Sequence, residues 1–240
     1  MNNKVAAIVS AYNEAPRIAL VLKALLTSRH INEVIVVDDG SSDNIDTVMQ
    51  KFPLVRYLKN DLNQGKGYSL ERASKATDAG VFLFCDADFL NLTPEILEAV
   101  IMPVVNNKCD MFVGIYETSF HKYFDKILAL TAFPAGINSG LRSVRRNVWE
   151  ALPSYYKHGY KLESGLNYLV KWKFNGPLYE HTSYRQVSNE SKRGIIKGTI
   201  IRLKMGFEVI GEFMLIQLYE RFFGFGKRKR EDDRKTKLDL

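Results

Sequence analysis

The most constraining feature is a repeated junction in the first hundred residues: a short, unbroken apolar run that stops at acidic residues and is followed by a helical pattern. Residues 5–11 run into Tyr12-Asn13-Glu14. Residues 34–37, four β-branched residues, stop at Asp38-Asp39-Gly40-Ser41-Ser42. Residues 81–85 stop at Asp86-Ala87-Asp88. A further strand is predicted at 55–58. Helices are predicted from Pro16, with Ile18, Val21, Leu22, Leu25 and Leu26 on one face, from about Ile45, over 66–77 and from about Pro94. Strands that are apolar on both faces and alternate with helices predict an α/β fold. Its central sheet is mostly parallel and carries helices on both faces. Ligands in such sheets bind outside the carboxyl ends of the strands, which is where all three acidic clusters fall.

The rest of the chain is less regular. A strand is predicted at 111–115, a helix at 122–130, and a strand over 139–144 that turns into a helix at 147–152. Another helix is predicted at 163–171 and a long helical pattern at 195–223. This divides the chain into a catalytic-type domain at 1–191, an amphipathic helical segment at 192–226 and a charged tail at 227–240. The tail has the composition of a disordered segment. The chain's 240 residues are enough to bury a substantial core.

Charge separates the same regions. Residues 1–191 carry 21 Lys/Arg against 20 Asp/Glu, whereas residues 192–230 carry 10 against 3. The net charge of +7 therefore belongs to the C-terminal region. Lys197, Lys204, Glu208 and Glu212 share a helical face there, with Ile200, Leu203, Phe207, Met214 and Leu218 elsewhere around it, and Lys227-Arg228-Lys229-Arg230 follows. Such a segment suits contact with an anionic membrane surface through 195–230. Packing on its own domain or on a second copy in a homodimer is the alternative. The tail lacks the interleaved aromatics of a base-stacking surface, so nucleic acid is not an expected partner. Two cysteines, Cys85 and Cys109, allow no dense disulfide framework. The longest uncharged run, 127–141, contains Pro134, Gly136 and Gly140, so no spanning helix is predicted. A cytoplasmic protein, or one peripheral on the cytosolic membrane face, is the expectation.

Two carboxylates at i and i+2 leaving a buried strand are costly unless a cation compensates them. Mg²⁺ or Mn²⁺ takes one or two carboxylates and completes its shell with phosphate oxygens and water. Asp86 and Asp88 are thus the predicted metal ligands, with a nucleoside diphosphate supplying the phosphates. Asp38 and Asp39 could accept hydrogen bonds from a base or ribose, and Asp43 is a predicted helix cap.

Taken together, Val9-Ser10-Ala11-Tyr12-Asn13-Glu14, Val36-Val37-Asp38-Asp39-Gly40-Ser41-Ser42-Asp43, Asn63-Gln64-Gly65-Lys66-Gly67 and Phe84-Cys85-Asp86-Ala87-Asp88 resemble the family 2 glycosyltransferases of the GT-A fold. Within that family the chain looks most like the polyprenyl (dolichyl) phosphate mannose and glucose synthases. The resemblance implies an inverting transfer from a nucleoside-diphosphate sugar with Mg²⁺ or Mn²⁺, a UDP-sugar being favoured over GDP-mannose. It implies that Tyr12, Glu14, Asp38 and Asp39 hold the nucleoside, with Lys66 near the donor. Asp86 and Asp88 would form the metal site, and His181 is a candidate third ligand.

The acceptor decides the remaining roles. A polyprenyl phosphate is already anionic and needs arginines to position it; Arg142, Arg145 and Arg185 are the candidates, and Arg146 is expected to face solvent. A sugar or glycan hydroxyl needs a general base instead. Glu163, at the start of a helix, is the candidate. A nucleotidyltransferase would need a Gly-rich basic loop that residues 10–17 lack, and a purely binding protein leaves the carboxylate clusters unexplained.

Overall fold

A computed structural model of the chain describes residues 2–116, 139–159 and 161–186, together with Gly211, Met214, Leu215 and Leu218. The predicted helix at 122–130, most of the 195–223 segment and the tail lie outside the described residues. His181 and Arg185 are described by their backbone.

The chain runs β1 (Val5–Ala11), α1 (Ala15–Thr27), β2 (Glu33–Asp38), α2 (Ile45–Met49), β3 (Arg56–Lys59), α3 (Lys66–Lys75), β4 (Val81–Asp86), β5 (Phe89–Leu90), α4 (Pro94–Val105) and β6 (Met111–Tyr116). After residue 138 come β7 (Arg142–Arg145), α5 (Arg146–Ala151), a 3₁₀ turn (Ser154–Lys157), α6 (Lys161–Lys173), β8 (Leu178–Thr182) and β9 (Arg185–Gln186). The main sheet has the order β3-β2-β1-β4-β7-β6-β8. Neighbours pair in parallel except where β7 meets β4 and β6. β5 and β9 form a separate antiparallel pair.

Because successive strand residues point to opposite faces, each buried strand feeds two cores. Val5, Ala7 and Val9 of β1 and Val81, Leu83 and Cys85 of β4 pack with Ile18, Val21, Leu22 and Leu25 of α1 and with the buried face of α4. Ala6, Ile8, Phe82 and Phe84 pack on the other side with Leu70 of α3, Trp149 of α5 and Leu162 and Leu166 of α6. Leu26, placed on the buried face of α1 by its spacing, is exposed at the rim. Each fully buried aliphatic side chain contributes about 1.5–3 kcal/mol relative to exposure, so the two layers fix the sheet and with it the strand ends.

Direction along β7 matters for the site. The carboxyl ends of β1, β2, β3 and β4 share one edge of the sheet, and antiparallel β7 begins there. Arg142 lies opposite Phe84 near that edge, while Arg145 lies opposite Val81 at the other end of β4.

Candidate active site at the carboxyl edge of the sheet

The edge is a set of loops tied to one another. Asn13, held at φ +56°, accepts from the Ser42 amide at 2.9 Å and donates its own amide to Ser41 Oγ at 2.9 Å. Asp43 Oδ2 accepts from the Ala15 amide at 2.8 Å. Asp43 therefore caps α1 across the loop, not the α2 helix that follows it in sequence. Tyr12 projects from this edge, 46% exposed. Glu14 pairs with Arg17 at 2.7 Å, and its carbonyl accepts the first backbone hydrogen bonds of α1.

Asp38 and Asp39 lie at the predicted edge but are buried. Asp38 accepts from the Ser41 amide at 2.9 Å and from Tyr57 Oη at 3.0 Å. Asp39, 1% exposed, accepts from Asn60 Nδ2 at 2.7 Å and the Gln64 amide at 3.0 Å through Oδ1, and from the Gly65 amide at 2.7 Å through Oδ2. It brackets the loop that leads into α3. Gly65 takes φ +90°, a conformation that favours glycine. Gly40, at φ +75°, lies so close to Leu62 and Asn63 that a Cβ would overlap their backbone.

That loop delivers Lys66. Its Nζ lies 2.8 Å from Asp86 Oδ1 and 3.1 Å from Glu163 Oε1. Burial disfavours the ammonium, but the two carboxylates outweigh it and hold the Lys66 pKa above the ordinary lysine value. Lys66 thus joins the end of β4 to the first turn of α6, and the two acids lie at most about 6 Å apart across it. Arg142 is 2% exposed and donates from Nε and Nη2 to the Ser139 carbonyl at 3.1 and 2.7 Å. Burial lowers its pKa, opposed by the charge of Glu163 and then by Tyr179 and Asp86. The guanidinium therefore belongs to the same cluster.

Asp88 follows in the turn after β4, 5% exposed. Among the described residues no group of three His, Cys, Asp or Glu side chains is placed to hold a metal. Asp86 and Asp88 offer a two-carboxylate set, the donor number that Mg²⁺ or Mn²⁺ uses when a diphosphate completes the shell. The backbone of His181 is on edge strand β8, paired with Ile115. The backbone of Arg185 pairs with Leu90, two residues beyond Asp88.

Two expectations are corrected. Arg145 does not join the acceptor cluster. Its Nη2 donates to the Val104 carbonyl and to Asn107 Oδ1 at 2.6 Å, and its Nε is 3.5 Å from Asp110. Five residues of strand separate Val81, its partner, from Asp86, about 17 Å at the usual rise. Arg146 is only partly exposed and turns back onto its own sheet. It donates to the carbonyls of Ala79, Thr77 and Ser74 and lies 4.8 Å over the Phe82 ring. Sequence reasoning also missed three contributors. A Cβ on Gly140 would overlap the Asp86 carboxylate, with Oδ1 at 2.6 Å and Oδ2 nearer still. Tyr179 borders Arg142, and Tyr184 is buried beside Ser139. Alternating polarity marks β8 too weakly to single out a tyrosine.

Gly211, Met214, Leu215 and Leu218 are helical and exposed, at the spacing of one helix face. No helix among the described residues is long and apolar enough to cross a membrane.

Comparison with known proteins places this edge in context. An uncharacterized protein of Methanocaldococcus jannaschii is 36% identical over 74 residues, which span 29% of this chain and 31% of that relative. Glucosyl-3-phosphoglycerate synthase from Mycobacterium tuberculosis, in complex with Mn²⁺, UDP and glucosyl-3-phosphoglycerate, shares the fold with a TM-score of 0.70 at 20% identity. That match covers 88% of this chain and 79% of the other. The same enzyme with Mn²⁺ and UDP-glucose aligns with a TM-score of 0.61 at 18% identity, over 77% and 71% of the two chains. Residues 6–164, which carry the acidic strand ends, Lys66, Arg142 and Glu163, match the Glycosyl transferase family 2. The chain belongs to the family 2 glycosyltransferases.

Proposed function

We propose that the chain transfers a hexose from a nucleoside-diphosphate sugar, a UDP-sugar in preference to GDP-mannose, to an acceptor hydroxyl with inversion. The observation that carries this reading is the Lys66 bridge, which sets Glu163 beside Asp86. Asp86 and Asp88 would hold Mg²⁺ or Mn²⁺, which when bound neutralises charge on the departing diphosphate. Glu163 takes the hydroxyl proton as the acceptor oxygen bonds to the anomeric carbon and the bond from that carbon to the diphosphate oxygen breaks. Lys66 adds positive charge on the donor side. Exposed Tyr12 offers a ring face to the base. Asp38 and Asp39 act as framework beneath it.

Arg142 supports an acceptor that also carries an anionic group. A further complex of the Mycobacterium tuberculosis synthase holds Mn²⁺, UDP and phosphoglyceric acid, and a phosphorylated hydroxy acid fits the same chemistry here. A polyprenyl phosphate is the second reading. The exposed helical face at Met214, Leu215 and Leu218 and the basic C-terminal region favour it, because both suit contact with a membrane surface. Loss of Arg145 from the acceptor cluster weakens it.

The test is transfer of radiolabelled sugar from UDP-glucose and GDP-mannose with Mn²⁺ or Mg²⁺, Asp88→Asn serving as control. 3-Phosphoglycerate and a short polyprenyl phosphate are offered separately. A water-soluble product that is lost in Asp88→Asn and in Glu163→Gln supports the hydroxyl reading. An organic-extractable product formed equally by Glu163→Gln replaces it with the lipid reading. A folded protein that binds neither donor overturns both.

A further inference from the structure

The Asp-Ala-Asp turn is held from both sides by one buried residue. Tyr184, 0% exposed, lies between β8 and β9. Its hydroxyl donates to the Gly114 carbonyl at 2.9 Å and lies 2.6 Å from Ser139 Oγ. Ser139 Oγ in turn accepts from the Leu141 amide at 3.2 Å. One proton arrangement satisfies all three: Ser139 donates to Tyr184, Tyr184 to Gly114, and Leu141 to Ser139. Ser139 therefore has a fixed position, and its carbonyl receives both nitrogens of Arg142. Gly140 follows it, with its Cα against the Asp86 carboxylate so closely that no side chain fits between them. On its other side the Tyr184 ring meets Phe89 edge-on, with centroids 4.8 Å apart at 67°. Phe89 is the residue after Asp88, and β9 pairs with β5 at that point.

From this we infer that Tyr184 is the positioning residue of the predicted metal pair: through Ser139-Gly140 it sets Asp86, and through Phe89 it sets Asp88. The inference rests on the proposal that these two carboxylates hold Mn²⁺ or Mg²⁺. A hydroxyl that only filled a core would need one partner. This one joins segments at 114, 139 and 184, and the second of these leads into Gly140 against the Asp86 carboxylate. Residues that orient ligating carboxylates typically change metal affinity by 10–100-fold when altered.

Tyr184→Phe keeps the ring against Phe89 and removes the hydroxyl, and Ser139→Ala removes its partner. Binding of Mn²⁺ to the full chain with saturating UDP would be followed by the loss of the free Mn²⁺ paramagnetic resonance signal. Thermal stability would be measured alongside. About tenfold weaker Mn²⁺ binding is expected in each variant. The double variant should be no weaker than the worse single one, because both break the same chain of hydrogen bonds. A lower melting temperature with Mn²⁺ binding unchanged overturns the inference and leaves Tyr184 a core residue. If Tyr184→Phe does not fold, Ser139→Ala carries the same test. A wild-type protein that does not deplete free Mn²⁺ overturns the metal proposal itself, and the inference with it.

Discussion

Asp39→Asn separates a framework role from a ligand role at the acidic end of β2. The carboxylate takes three N–H donors, two on Oδ1 and one on Oδ2. An asparagine keeps its oxygen where two donors converge and turns an NH₂ toward the Gly65 amide. One charge-assisted bond is then lost and two donors face each other. Hydrogen bonds to charged groups contribute about 1.5–3 kcal/mol. Gly65 is only half-buried and can rehydrate, which favours the lower part of that range, about 2 kcal/mol. For a chain of this size about 2–4 °C of melting temperature follows each kcal/mol, so a fall of roughly 4–8 °C is expected. The loop between Asn60 and Lys66 loosens at the same time. Turnover with a UDP-sugar should therefore drop together with that of Lys66→Ala, and the double variant should lose little more than Lys66→Ala alone. UDP binding, measured by calorimetry, should change less than threefold. Unchanged stability with a large loss of UDP affinity would refute this reasoning and assign Asp39 to direct nucleoside contact.

Glu163→Gln should lower turnover by about 10²–10⁴-fold and leave UDP-sugar binding within a few-fold, read by comparing kcat with calorimetric affinity. Arg145→Met should behave in the opposite way. Its loss leaves the buried Val104 carbonyl without that donor, which costs about 1–3 kcal/mol, while Asp110 stays partly exposed and keeps the Asn175 amide, so unfolding in denaturant shifts while kcat and KM below the transition stay near wild type. Glu71 gives a pH effect. Burial pushes its carboxyl up, but the Lys157 and Lys75 ammoniums outweigh burial and hold it below the usual carboxylate value. A lowered folded-state pKa stabilises above the unfolded value, and that contribution is lost as pH falls through the folded value. Between about pH 5 and 3, the melting temperature of wild type should therefore fall more steeply than that of Glu71→Gln.

The first half of the fold was legible because its strands are apolar on both faces. Residues 5–11, 34–37 and 81–85 can be buried only in a covered parallel sheet, so the acidic clusters had to share one edge. A cation beside Asp86 and Asp88 was to be expected for the same reason, since buried strand ends tolerate paired carboxylates only when charge compensates them, and the Lys66 ammonium lies 2.8 Å from Asp86. Strand direction was not legible beyond β4. Arg142, Arg145 and Arg146 are equivalent as letters, and three readings of them as clamp or surface were open. Antiparallel pairing of β7 assigns them: the first arginine begins the strand at the site edge, the third residue after it ends the strand at the far edge, and the next starts a helix. Contacts across long sequence separation were also silent. Lys66 reaches Glu163 over 97 residues and Tyr184 reaches Ser139 over 45, and each pair depends on which layer of the sandwich its helix or strand joins. Gly140 shows the limit most clearly. Its sequence neighbours suggest a turn, yet its constraint is the Asp86 carboxylate 54 positions earlier, against which only a residue without a side chain can sit.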